Sequence, residues 1–103
     1  MLTQKGIIMA TLNGMSESEF RKLAIDSVVE WWNENNDLVD EFGDISADDV
    51  YITWQCKAIE NFKALLGVSF DGDGMYFEFT QHGAKQRCYL DCYKKVDHVT
   101  VEY

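Results

Sequence analysis

With 103 residues the chain is one domain by size, and 47% hydrophobic with 14% aromatic residues supplies one modest core. A formal charge of −9 excludes wrapping DNA or RNA, which depends on Lys and Arg neutralising phosphates, and it excludes docking on anionic lipid. The charge is uneven: residues 17–49 hold 11 of the 18 carboxylates against Arg21 and Lys22, a net of −9, and the remainder sums to zero.

Residues 1–15 read as a flexible arm or short extra element ahead of a single α+β domain at 16–103. The apolar patch Ile7-Ile8-Met9 is too short for a signal-peptide core, and Met9 and Met15 stand as alternative starts. Ser16 with Glu19 then forms a capping box, and the spacing predicts one long N-terminal helix from about Ser16 to Asn35. Its apolar set is Phe20, Leu23, Ala24, Val28 and Trp31, with Ile25, Val29 and Trp32 on the adjoining side. Together they cover roughly 240° of the circumference, well past the usual stripe of about 100°. Such a helix is either buried on two sides by its own domain or offers Ile25, Val29 and Trp32 to a second copy. Asn33, Asn35 and Asn36 end it, because Asn competes with its own backbone for hydrogen bonds. Asp37 to Asp49 carries Asp37, Asp40, Glu41, Asp44, Asp48 and Asp49 without a base and reads as a solvated loop interrupted by Phe42-Gly43. Ser46 is placed to cap a short turn within it.

From Val50 the hydrophobic period switches to two. Val50, Ile52, Trp54 and Cys56 alternate with Tyr51, Thr53, Gln55 and Lys57; similar runs follow at 62–70, 75–80 and 87–93, with a last short one at Val99, Val101 and Tyr103. Turn-rich links at Glu60-Asn61, Asp71-Gly72-Asp73-Gly74 and His82-Gly83-Ala84 make neighbours antiparallel, so a meander of four or five strands is expected. The helix should cover its aliphatic and aromatic face, packing Trp54, Leu66, Phe77, Phe79 and Leu90 against Phe20, Leu23, Val28 and Trp31. The opposite face should present Tyr51, Tyr76, Tyr89 and Tyr93. Tyrosine gives contact area at little entropic cost, which suits a protein interface, although strand propensity also favours it.

Three cysteines, Cys56, Cys88 and Cys92, are an odd number for a secreted disulfide framework and point to a reducing compartment. Cys88 and Cys92 in one strand would stand about 13 Å apart. Zinc holds each sulfur at about 2.3 Å, so one ion cannot take both, and all three read as buried thiols on the core face. An EF-hand loop counted from Asp71 needs Gly and Glu where Tyr76 and His82 stand. No metal and no cofactor are expected. No Gly-x-Ser-x-Gly, His-Glu-x-x-His or phosphate-cradling glycine loop occurs, and His82 and His98 read as turn and strand-end residues, so the expected activity is not enzymatic.

Asp49-Val50-Tyr51, Trp54, Cys56-Lys57, Lys63-Ala64-Leu65-Leu66, Asp73-Gly74-Met75-Tyr76, Tyr89-Leu90-Asp91 and Tyr93-Lys94-Lys95 form a distinctive string. Over about residues 45–96 the chain resembles a small phage and prophage family of Gram-positive bacteria, the domain of unknown function DUF6275. The resemblance implies a small phage-encoded accessory protein in the host bacterial cytoplasm, and it brings no site residues with it.

Two function classes remain. In the first, the acidic segment binds a basic protein surface, such as that of a host nucleic-acid-binding protein. Carboxylates then stand in for phosphates, as in some anti-CRISPR inhibitors of defence or replication. Its contact residues are Asp26, Glu30, Glu34, Asp37, Asp40, Glu41, Asp44, Asp48 and Asp49, with Tyr51, Tyr76, Tyr89 and Tyr93 as a second face. In the alternative the chain is a structural module of phage assembly or replication that self-associates through Ile25, Val29 and Trp32. Neither class involves direct nucleic-acid or membrane binding.

Overall fold

A computed structural model describes residues 15–58, 61–70 and 74–103. The expectation for the arm falls outside the described residues at 1–14, as do residue 60 of the Glu60-Asn61 turn and residues 71–73 of the Asp71-Gly72-Asp73-Gly74 turn. Met15, assigned to the arm by sequence, is buried in the core.

The fold is α+β: an N-terminal helical segment packed on one four-stranded antiparallel sheet whose strands lie side by side in chain order. Helix α1 spans Glu17–Asn33. Its capping box forms as the sequence dictates, with the Glu19 N–H donating to Ser16 Oγ at 3.1 Å and the Ser16 N–H donating to Glu19 Oε1 at 2.8 Å. Those two bonds satisfy donors that a helix start otherwise leaves bare.

Helix α1 does not run on to Asn35. A second helix, α2 at Asn36–Phe42, follows it, and a single 3-10 turn at Ala47–Asp49 leads into the sheet. The stretch expected as a solvated loop is thus largely helical. Asn35 caps α2 by accepting from the Leu38 N–H at 3.2 Å, and Gly43, at a φ of 87° that favours glycine, ends it.

The strands are β1 (Val50–Ala58), β2 (Asn61–Val68), β3 (Met75–His82) and β4 (Arg87–Lys94). The last apolar run forms no fifth strand: residues 95–103 have no secondary structure. Helix α1 covers one face. Phe20, Ala24, Val28 and Trp32 are buried at spacings of four residues against Phe62, Ala64, Leu66, Phe77 and Phe79. Phe20 stacks on Phe62 at 4.8 Å between ring centres, and Trp31 meets Phe77 edge-on at 5.7 Å.

Three core expectations need correction. Trp32, placed on a candidate dimer face, is the fully buried tryptophan (0% exposed), and Trp31 is half-buried. Leu23 and Leu90, expected in the core proper, are also half-buried at its margin. Trp54 lies 49% exposed, on the opposite face of the sheet.

The Trp54 reversal has a backbone cause. The β1–β2 register pairs Ile52 with Leu66 but Trp54 with Leu65, so Thr53 is an extra residue and β1 bulges there. One inserted residue swaps every later side chain to the other face. Trp54 and Cys56 turn outward. Gln55 and Lys57 take the helix-facing side, where Gln55 Nε2 donates to Glu17 Oε2 at 2.8 Å and Lys57 Nζ lies 5.2 Å from the Phe62 ring centre.

Phe77 is fully buried between α1 and the sheet. Replacing it with Ala should destabilise the domain by about 3–5 kcal/mol, seen as a lower midpoint in chemical denaturation. An unchanged midpoint would refute the core assignment.

Candidate functional site

Two surfaces concentrate the candidate side chains. The first is an acidic ledge formed by the end of α1, α2 and the loop after it. Three side chains fix that ledge to the body. Trp32 Nε1–H donates to the Gly43 carbonyl at 3.1 Å. Asn33 Nδ2 donates to the Ile45 carbonyl at 2.9 Å, and its Oδ1 accepts from the Ile45 N–H at 2.8 Å. Phe42 closes a ring cluster with Trp32 and Phe70, all three centroid pairs lying between 5.7 and 5.9 Å. Sequence reasoning gave Asn33 only the task of ending a helix. It also serves as a two-point clamp across 12 residues.

Not all nine predicted acidic residues are alike. Asp26 is paired with Lys22 at 2.7 Å, one helical turn away. Asp49 accepts from the Ser46 N–H at 2.9 Å and caps the 3-10 turn. The other seven, Glu30, Glu34, Asp37, Asp40, Glu41, Asp44 and Asp48, are exposed and form no ion pair among the described residues.

The second surface is the uncovered face of the sheet. Tyr51, Tyr76, Tyr89 and Tyr93 all lie there, exposed, as expected from the alternation. The bulge adds Trp54, which the sequence pattern had placed in the core. Tyr76 and Tyr93, directly paired across β3 and β4, stack at 5.0 Å with planes 15° apart. Lys63 Nζ lies 2.9 Å from Glu78 Oε2, and the Tyr93 hydroxyl donates to Glu78 Oε1 at 3.2 Å. At the other end Tyr51 lies across Gly67, where an added Cβ would come within 3.0 Å of the Tyr51 hydroxyl oxygen. Glycine at that point lets the ring lie flat beside a shallow groove lined also by Thr53, Leu65 and Tyr76.

Glu78 is the electrostatic centre of this face. The Lys63 hydrogen bond holds its carboxyl below the usual range, with help from the Tyr93 hydroxyl. Lys63 is raised in return, mainly by that same bond. Tyr93 is raised because its phenol proton is held by the Glu78 carboxylate.

The cysteines separate. Cys56 is exposed, contrary to the core-face expectation, because the bulge turns it outward. Cys88 and Cys92 remain on the helix-facing side, half-buried, and burial pushes Cys88 up to about 11 and Cys92 upward as well. A thiol held protonated is a poor nucleophile and a poor metal ligand. Among the described residues no group of three or more His, Cys, Asp or Glu side chains is close enough to hold a metal ion. Nor is any described helix long and apolar enough to cross a membrane.

Helix, acidic ledge and open aromatic sheet together define a small α+β domain with two exposed, chemically distinct surfaces. The chain belongs to the family of unknown function DUF6275, whose model matches residues 21–103. The match extends well beyond the stretch that carried the resemblance in sequence and takes in most of α1, all of α2 and the segment after β4. No curated protein and no solved structure matches the chain.

Two outcomes follow from these contacts. Asn33→Ala leaves both polar groups of Ile45 without their partner, so it should destabilise the domain by about 1–3 kcal/mol. Hydrogen exchange should then accelerate at the Ile45 amide while the β2 and β3 amides keep their relative protection. The Tyr93 phenol should ionise above the ordinary tyrosine range, and Glu78→Gln should bring it back down. Ultraviolet titration reads both, and a profile unchanged by the substitution would refute the Glu78–Tyr93 contact.

Proposed function

We propose that this chain is a binding protein rather than an enzyme, and that its acidic ledge engages a basic surface on another protein. The observation that carries the reading is that the acidic stretch is folded. Seven carboxylates without an ion-pair partner among the described residues sit on helices and a loop clamped by Trp32, Asn33 and Phe42, so their spacing is held in advance of any encounter. Preorganised charge loses less conformational freedom on binding than a mobile loop would. It also speeds encounter with a surface of opposite sign.

The target class is a protein whose basic groove ordinarily holds nucleic acid, the carboxylates standing in for phosphates. The cellular setting that goes with this reading is a phage or prophage accessory protein in the cytoplasm of a Gram-positive host, an inhibitor of defence or replication in the manner of anti-CRISPR proteins. The alternative, self-association through α1, loses its main anchor, because Trp32 is fully buried and Ile25 and Val29 are half-buried against the core.

The test starts with affinity capture from host cells. Changing Asp37, Asp40, Glu41 and Asp44 together to Asn or Gln should slow association with the captured partner about tenfold or more, and raised salt should do the same to the parent chain. The fold should survive, since solvated charges contribute little to stability. A partner whose binding ignores both the substitutions and the salt would remove the acidic contact and move attention to Tyr51, Trp54, Tyr76, Tyr89 and Tyr93.

A further inference from the structure

The segment after β4 is built like a strand and used as none. Lys95 N–H still donates to the Gly74 carbonyl at 2.8 Å, and then the chain leaves the sheet. Val96, Val99 and Val101 are 98%, 71% and 81% exposed, and Tyr103 is exposed beyond them. Val99, Val101 and Tyr103 alternate with Thr100 and Glu102, and β-branched and aromatic residues at period two fit a half-buried strand. The family match runs through Tyr103, so this segment is part of the shared domain.

Among the described residues the sheet offers a matching open edge. β4 is an edge strand, with one row of backbone donors and acceptors turned away from β3. Its helix-facing side chains, Cys88, Leu90 and Cys92, are only half-buried. They also occupy three positions two residues apart, the same spacing as Val99, Val101 and Tyr103.

We propose that residues 98–103 of one copy add as a fifth strand to β4 of a second copy, and that the exchange is mutual. Antiparallel pairing of Val99 with Cys92 sets Val101 opposite Leu90 and Tyr103 opposite Cys88. Three apolar side chains then cover three that α1 leaves half-open. Folding back within one chain covers less of this margin. A two-residue turn at Val96–Asp97 would set Val99 opposite Lys94, Val101 opposite Cys92 and Tyr103 opposite Leu90, leaving Cys88 uncovered. A three-residue turn at Val96–His98 would set Val99 opposite Lys95 and Val101 opposite Tyr93, on the aromatic face. A two-fold exchange satisfies both donors and both edges and closes at two chains.

Sedimentation of the full chain tests this, beside Val101→Asp, a deletion of 98–103 and, as a control, Val29→Asp on α1. Val101 is exposed in the single chain, so its substitution does not threaten the fold, and far-ultraviolet circular dichroism verifies that. The expected result is a full chain at twice the 11.9 kDa chain mass, falling by half in Val101→Asp and in the deletion. The tail amides should be protected from exchange in the parent alone. A full chain that sediments at its single mass overturns the proposal, whether its tail amides are protected by folding back or open to solvent. So does a dimer that survives Val101→Asp or that is lost only in Val29→Asp.

Discussion

A single long helix, about 10–12 Å across, lies on four strands spaced about 4.8 Å apart, and the sheet is wider than its cover. That shortage of cover governs the exposed chemistry of the domain. The middle strands are sealed: Phe62, Ala64, Leu66, Phe77 and Phe79 are buried beneath Phe20, Ala24, Val28 and Trp32. At the β4 margin Cys88, Leu90 and Cys92 are only half-covered. The far face has no cover at all among the described residues, and it is there that Tyr51, Trp54, Tyr76, Tyr89 and Tyr93 stand. An uncovered face needs side chains that tolerate both water and contact, and tyrosine meets that requirement with an apolar ring and a polar tip.

The bulge at Thr53 refines this division. Without it β1 would send Trp54 and Cys56 toward the helix and Gln55 and Lys57 to solvent. With it the strand contributes a tryptophan to the open face and a polar fringe to the N-terminal start of α1, where Gln55 meets Glu17. One extra residue therefore assigns the aromatic content of two surfaces. Bulges commonly re-aim side chains at sheet edges in this way, and β1 is an edge strand.

The acidic ledge and the aromatic face differ in how they hold charge. On the sheet, Lys63, Glu78 and Tyr93 satisfy one another. On the ledge seven carboxylates lack partners among the described residues, yet the backbone beneath them is tied down by Trp32 and Asn33. Like charges gathered on a short ordered segment repel one another, and the clamps offset that repulsion from the apolar side. In the proposed reading, charge of this kind governs encounter with a basic surface.

Much of the local structure was legible in the sequence because it depends on near neighbours. Ser16 and Glu19 are one turn apart, so the capping box and the start of α1 follow from two letters. The switch from a period near 3.6 to a period of two gave the helix-then-sheet order and the antiparallel meander, and the alternation of β2 and β3 put Phe62, Leu66, Phe77 and Phe79 inside. Other features depended on residues far apart in the chain. Trp32 rather than Trp31 is buried because Gly43 and Phe70 arrive to cover it, and no helical period encodes their arrival. Acidic residues 37–41 are helical because Asn35 caps them and Leu38 finds the core, whereas charge density by itself suggests a solvated loop. The bulge is invisible to alternation, since Val50 to Lys57 keeps its apparent period while the pairing with β2 slips by one. Sequence fixes which residues can form a strand or a helix; packing decides which face of each is covered, because cover is supplied by elements that only the tertiary fold brings together.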